Sequence, residues 1–442
     1  MGFQDAVLTG LAPDGGLLIP ESIPDVSDQL AAWSTLSYPE LSFEVFKLFT
    51  DIPDGDLKYL VDNAYATFRH PDVAPTVKIG DVHILELFHG PTLAFKDMAM
   101  QFLAQVYDYV LEQRDQHINI LGATSGDTGS AAIHGVRGKS RINIFMMHPK
   151  GRTSPIQEKQ MTSVLDKNVY NLAVEGTFDD CQRIMKSIFG DVAFKAEHQL
   201  GAVNSVNWCR VLAQIVYYLY SGLQVMKQTG STSVRFSVPT GNFGNILAGY
   251  FAREMGLPIG QLILATNEND ILSRFFNTGV YSQGTVAQTI SPSMDIQVAS
   301  NFERYLYYKL DGDSEQVMEL LQTFAETGSV EIPGFKEALF TAGVGQTSET
   351  MAVIKRYFES HGYTLDPHTA VGVCVGEQHL SDSEPMICVS TAHPAKFTDA
   401  ITEAIGEEPH HQTLDALADA ETRCHTIAND EAAIRAYLDQ HV

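Results

Sequence analysis

Ser233-Val234-Arg235-Phe236-Ser237-Val238-Pro239-Thr240-Gly241-Asn242-Phe243-Gly244-Asn245-Ile246-Leu247-Ala248-Gly249-Tyr250-Phe251-Ala252 reads as strand, glycine loop and helix in immediate succession. Glycines permit positive φ and close backbone approach, and amides at a helix start point outward without partners, so this arrangement suits an anion. No lysine follows the loop, which sets it apart from the Gly-Lys-Ser/Thr ending of a nucleotide triphosphate loop. A single small phosphate is the better match. The plainer reading is a tight turn between strand and helix. Working outward, His117–Leu121, Arg141–Met147, Val169–Val174, Gln261–Thr266, Val371–Val375 and Pro385–Val389 also read as short buried strands, most followed by helical patterns. That alternation is the signature of parallel α/β sheets.

A second segment carries chemistry of a different kind. His89-Gly90-Pro91-Thr92-Leu93-Ala94-Phe95-Lys96-Asp97 leads from a turn into a helix, because Met98, Met100, Phe102, Leu103, Val106, Tyr109 and Val110 recur at roughly helical spacing. Lys96 therefore opens a helix beside buried surface. The positive end of the helix dipole and desolvation both disfavour its ammonium form, which helps a lysine form a Schiff base with a carbonyl. An ordinary surface lysine is the alternative. A third segment, Leu121-Gly122-Ala123-Thr124-Ser125-Gly126-Asp127-Thr128-Gly129-Ser130, again joins a strand to a helix. Thr124, Ser125 and Thr128, with the free amides of the helix start, suit a carboxylate, and Asp127 or Thr124 can equally serve as a helix cap.

Composition sets outer bounds. The 442 residues are 44% hydrophobic and 19% charged, enough apolar content for large cores in two or three domains. With 29 basic against 54 acidic residues the net charge is -25, which disfavours nucleic acid and anionic membranes as partners. An anionic ligand then requires local positive charge, for which Lys96, Lys150, Arg152, Lys159 and Arg210 are the expected cations. Cys181, Cys209, Cys374, Cys388 and Cys424 are odd in number without short paired spacing, which fits reduced thiols in the cytoplasm. No metal-ligand motif is seen, so no metal site is expected. There is neither a leader-like N-terminus nor an apolar run of membrane-spanning length. Val211–Met226, the longest candidate, is interrupted by Gln214, Ser221, Gly222 and Gln224 and reads as a buried helix.

The chain resembles the threonine synthase family, pyridoxal-phosphate enzymes of the tryptophan-synthase β-subunit fold, or fold type II. The resemblance runs from Gly10-Leu11-Ala12-Pro13-Asp14-Gly15-Gly16-Leu17, through the lysine segment and both loops, to Ser390-Thr391-Ala392-His393-Pro394-Ala395-Lys396-Phe397. Thr240 stands where a serine is common, keeping the hydroxyl. The resemblance implies two open, twisted, mostly parallel-sheet domains with the cofactor in the cleft between them, plus an N-terminal extension. The expected division is 1–90 for the N-terminal unit, 91–112 with 215–442 for the large cofactor-binding domain, and 113–214 for a small mobile domain.

Site roles follow from the same resemblance. Lys96 would be the Schiff-base lysine and proton carrier, Gly241, Asn242, Phe243, Gly244 and Asn245 would wrap the cofactor phosphate, and Thr391 would face the pyridine nitrogen. A hydroxyl there does not force a proton onto the ring, so the cofactor would be a weaker electron sink. Asn204, Ser205 and Arg210 would grip a substrate phosphate, the planar guanidinium being suited to it. Thr124, Ser125, Asp127 and Thr128 would surround the substrate carboxylate, with Asp127 contributing its amide or acting on the phenolic side of the cofactor, since carboxylates repel. The implied reaction turns O-phospho-L-homoserine and water into L-threonine and phosphate by γ-elimination and β-addition, in a monomer or homodimer. Competing readings are a phospholyase ending in a 2-oxo acid, a silent relative, and a β-replacing enzyme acting on serine. Retention of both Lys96 and Arg210 speaks against the silent relative, and the β-replacing enzyme has no use for Arg210. Gln288–Asp295 is expected to be a loop over the site, and Leu414–Leu438 an acidic amphipathic helix.

Overall fold

A computed structural model describes residues 1–12 and 14–442. Pro13, within the Gly10–Leu17 stretch, lies outside the described residues.

The segment that opens the sequence analysis forms as the strand Val234–Pro239 and the helix Gly244–Glu254. The strand lies inside a six-stranded sheet ordered Thr76–Ile79, Val82–Glu86, Met386–Ser390, Val234–Pro239, Ile259–Thr266, Phe340–Val344. Only the first pair is antiparallel. A second, wholly parallel sheet is ordered His425–Ile427, Val169–Val174, Ile142–Pro149, Ile118–Ala123, Leu200–Gly201. Its first strand comes from the far end of the chain. The inner strands of both sheets are buried, and they are nearly continuous apolar runs instead of alternating ones.

The helix read between Val211 and Met226 spans Trp208–Thr229 and is buried from Trp208 through Leu223. It packs against the helix Lys96–Gln113 and the helix Gly244–Glu254, so the lysine segment and the glycine-loop segment meet around one buried rod. The N-terminal helices Phe3–Thr9, Tyr38–Phe46 and Asp54–Tyr65 lie against the same core. Tyr38–Phe46 starts at a capping box formed by Ser37 and Glu40, and Phe46 stacks on Phe102 with centroids 4.1 Å apart.

Two stretches differ from their sequence reading. Val371–Val375 is not a strand: it lies within the fully buried helix Pro367–Glu377, whose first turn is capped by Asp366 accepting from the amides of His368 and Thr369. A helix apolar on every side has no 3.6-residue stripe, and five apolar residues then look like a strand. Leu414–Leu438 is not one helix either. It comprises the short helix Gln412–Asp415, the edge strand His425–Ile427 and the helix Glu431–His441. Edge pairing with Val169–Val174 won over local helical tendency.

Candidate active site

Three adjacent parallel strands, Val82–Glu86, Met386–Ser390 and Val234–Pro239, end at the same edge of the large sheet. The carboxyl edge of a parallel sheet is where ligands of α/β proteins bind. The chain leaving each of these strands supplies Lys96, Thr391 and the glycine loop respectively.

The lysine turn is built to hold Lys96 still. Asp97 is fully buried, and its carboxylate accepts from the amide and the hydroxyl of Thr92, both at 2.8 Å. Gly90 has to be glycine, since a Cβ there would lie 2.5 Å from the Cβ of Asp97. The amide of Phe95 donates to the carbonyl of Thr391 (2.8 Å), tying the start of the lysine helix to the end of its neighbouring strand. Lys96 itself is largely withdrawn from solvent, which lowers the pKa of its amine, and Asp127 only partly opposes that effect.

Asp127 begins the helix Asp127–Val136 and faces three donors. Its Oδ2 lies 3.4 Å from Lys96 Nζ, and its Oδ1 lies 2.8 Å from both Lys396 Nζ and Gln157 Nε2. Burial pushes this carboxyl up, but Lys396 and then Lys96 outweigh it and hold Asp127 well below the usual carboxylate range. Its side chain is thus already committed to two lysines. Thr124 is committed as well, accepting from the amides of Gly126 and Gly129 at 3.0 and 2.9 Å. Ser125 is exposed and Thr128 half-buried, and neither hydroxyl has a partner among the described residues.

In the glycine loop, Phe243 takes the left-handed conformation (φ 63°) that places Gly244 and Asn245 at a helix start. Its ring is buried against Phe276, Phe302 and Tyr305, so the side chain anchors the loop and only its backbone faces the site. Asn242 is held by Asn301, whose amide donates to its carbonyl at 3.1 Å. Asn245 accepts two hydrogen bonds of 2.7 Å through Oδ1, from Tyr217 and Tyr218, leaving its buried Nδ2 without an acceptor among the described residues. Gly241 meets the carbonyl of Ser293 so closely that a Cβ would lie 2.6 Å from it. That contact gives Gln288–Asp295 its task. The segment buttresses the loop, and Ser293 is itself held by its amide donating to Nε2 of His368 (3.2 Å), whose Nδ1 pairs with Asp366 (3.0 Å).

Arg210 stands in the first turn of the helix Trp208–Thr229. Asn207 caps that helix by accepting from Cys209, and Asn204 accepts from the amides of Val206 and Asn207 at 3.2 and 3.0 Å. Asn207 also donates to the carbonyl of Val7, while the fully buried Arg304 donates to the carbonyls of Val206 and Leu18. The N-terminal extension thereby fixes the segment that carries Asn204, Ser205 and Arg210. Arg210 is 6% exposed, and its Nε and Nη1 have no partner among the described residues. Burial lowers its pKa to about 10, with only the neighbouring Tyr107 and Cys209 in opposition. A guanidinium stays charged at that value, so this is a buried cation awaiting an anion.

The other expected cations lie elsewhere. Lys150 forms an exposed pair with Glu175 at 3.1 Å, and Lys159 reaches the carbonyl of Ala418 on the surface. Lys396, by contrast, was present in the C-terminal motif but carries no local signal, because its proximity to Asp127 depends on chain segments 269 residues apart.

A buried amine, a glycine loop ending in free helix amides, an unsatisfied Asn245 donor and a hydroxyl at Thr391 fit a phosphate-bearing carbonyl cofactor. The fold and this site define a pyridoxal-phosphate enzyme of fold type II. The model of the family described as "Pyridoxal-phosphate dependent enzyme" matches residues 68–334. Flanking it, "Threonine synthase N terminus" matches 1–65 and "Threonine synthase, C-terminal" matches 369–438. The chain belongs to the threonine synthase family. It is 46% identical to the threonine synthase of Pseudomonas aeruginosa over 100% of this chain and 96% of that protein. To the threonine synthase of Saccharomyces cerevisiae it is 47% identical over 92% and 87%. The crystal structure of pyridoxal-phosphate-bound threonine synthase from Brucella melitensis superposes with a TM-score of 0.95 at 45% identity, covering 100% of this chain and 97% of that one.

Proposed function

We propose that this protein converts O-phospho-L-homoserine and water into L-threonine and inorganic phosphate. The observation that carries this reading is the buried guanidinium of Arg210, whose Nε and Nη1 have no partner among the described residues. Bound pyridoxal phosphate supplies a carbonyl for the substrate amine and an electron sink for charge developing at the α-carbon. Lys96 holds the cofactor and, once released, its amine carries the proton taken from the α-carbon. Gly241, Asn242, Gly244 and Asn245 hold the cofactor phosphate through backbone amides and the Asn245 side chain, with Phe243 as the anchor behind them. Thr391 offers a hydroxyl to the ring nitrogen.

The β-carbon then loses a proton, and its electron pair forms the Cβ–Cγ double bond. Arg210, Asn204 and Ser205 grip the substrate phosphate and stabilise it as the Cγ–O bond breaks, when charge on the leaving group is greatest. Ser125 and Thr128 donate hydroxyls to the substrate carboxylate, within a turn organised by Thr124 and Asp127. Water adds at the β-carbon. Closure of the 113–214 unit over the larger domain would exclude other water at that stage, with 1–90 as a supporting unit. No helix among the described residues is long and apolar enough to cross a membrane. We take the enzyme to act in the cytoplasm on this small molecule, as a monomer or homodimer, without a nucleic-acid partner.

The test is to incubate purified holoenzyme with O-phospho-L-homoserine and quantify phosphate, threonine and 2-oxobutyrate. Equal phosphate and threonine, abolished by Lys96→Ala, support the reading. Phosphate matched by 2-oxobutyrate would make the protein a phospholyase instead.

A further inference from the structure

Two lysines face one carboxylate in this site, Lys396 fully buried and Lys96 with its side chain 11% exposed. Lys396 follows the strand Met386–Ser390 in the short turn Pro394–Lys396, its side chain wholly removed from solvent. Its Nζ lies 2.8 Å from Asp127 Oδ1 and donates to the carbonyl of Thr92 at 2.8 Å. Lys96 is the more distant cation, 3.4 Å from the other oxygen, Oδ2. Burying an ammonium is costly unless it is paired, and Lys396 has no solvent to fall back on.

We propose that Lys396 is a positioning residue for Lys96: it takes Asp127 as its own counterion, so the carboxylate is held at the site without fixing Lys96 as an ammonium. The physical conflict it resolves is clear. Lys96 must present a free amine to a carbonyl, yet a lone buried carboxylate beside it would stabilise the charged form. With Lys396 at 2.8 Å, Asp127 keeps a partner when Lys96 gives up its proton. Gln157 adds a neutral donor to the same oxygen at 2.8 Å, further reducing the demand on Lys96. Asp97 and His134 also lie in electrostatic reach of Lys396, and Arg210 in reach of Lys96, with Arg69 acting on Asp97 and His134 and Arg137 on His134. Asp127 favours a charged Lys96, while Lys396 and Arg210 oppose it.

The inference rests on Lys96 being the lysine that holds the cofactor, and borohydride reduction of the holoenzyme followed by peptide mapping checks that separately. The reactivity of the Lys96 amine is then read in the full-length protein freed of cofactor, by trace acetylation across a pH series and mass spectrometry of the Lys96 peptide. Lys396→Met should raise the labelling midpoint by at least about one pH unit, leaving about tenfold less free amine at neutral pH. Lys396→Arg should restore the wild-type midpoint. Asp127→Asn, made with Lys396 intact, should lower it, which provides a reading even if Lys396→Met does not fold. An unchanged Lys96 midpoint in folded Lys396→Met, or a midpoint not lowered in Asp127→Asn, overturns the proposal. Cofactor recovered on Lys396 would overturn both this proposal and the assignment of Lys96.

Discussion

The amide of Phe95 donates to the carbonyl of Thr391 at 2.8 Å, joining residues 296 positions apart into one wall of the active site. Because the bond uses backbone atoms, it fixes Lys96 and the Thr391 hydroxyl in one frame whatever side chain stands at 391. The Thr391 amide is held in turn by the hydroxyl of Thr369 at 3.1 Å.

Thr391→Val should therefore leave cofactor attachment intact while impairing turnover. The Schiff-base absorbance band should form as in the wild type, and kcat should fall about a hundredfold, in the range seen when one site hydrogen bond is removed. Absorbance spectra and steady-state kinetics on one preparation check both halves. A lost band would mean that the hydroxyl is needed to seat the cofactor.

Arg210→Met should stabilise the ligand-free protein and abolish activity. The wild type carries an unpaired buried cation, and replacing it with an apolar chain of similar length removes a desolvation cost of roughly 1–3 kcal/mol. Chemical denaturation measures the gain. Inorganic phosphate, which should stabilise the wild type by mass action, should stabilise the variant less.

Gly241→Ala should weaken cofactor binding without unfolding the domain. Its Cβ would lie 2.6 Å from the carbonyl of Ser293, a backbone atom held through His368 and Asp366, so the loop must move instead. Overpacking of this kind costs about 1–3 kcal/mol, which corresponds to a rise of about 5-fold to 150-fold in the cofactor dissociation constant. Fluorescence titration of cofactor-free protein with pyridoxal phosphate reads it directly.

Asp97 gives a pH dependence of defined sign. Burial raises its carboxyl to about 6, against an ordinary value of 3.8, despite the two hydrogen bonds from Thr92. Between these values the folded protein holds the proton more tightly than the unfolded chain does, so this residue's contribution becomes less favourable as pH rises from about 4 to 6. The loss is on the order of 3 kcal/mol and complete above that window. His134, lowered to about 4 by burial, acts in the opposite direction, costing stability as pH falls from 6.5 to 4. Asp97→Asn should remove the first effect alone. Denaturation midpoints at pH 4.5 and pH 8 should shift in favour of the variant at the higher pH, and an equal difference at both would refute the assignment.

The sequence alone determined the features that are local. Strand, glycine loop and helix at 233–252, and the helix opening at Lys96, are dictated by glycine placement and apolar spacing over a few turns, and they formed within one or two residues of where the pattern puts them. Tertiary structure decided what depends on distant partners. It turned Val371–Val375 into a buried helix and made His425–Ile427 an edge strand, because burial on every side erases periodicity and strand pairing outweighs local tendency. It also committed the side chains of Asp127 and Thr124 to internal partners, left Arg210 without one, and set Lys396 against Asp127. Charge pairing at under 4 Å is a property of packed segments, and no window of sequence contains both ends of a contact that only the packed core creates.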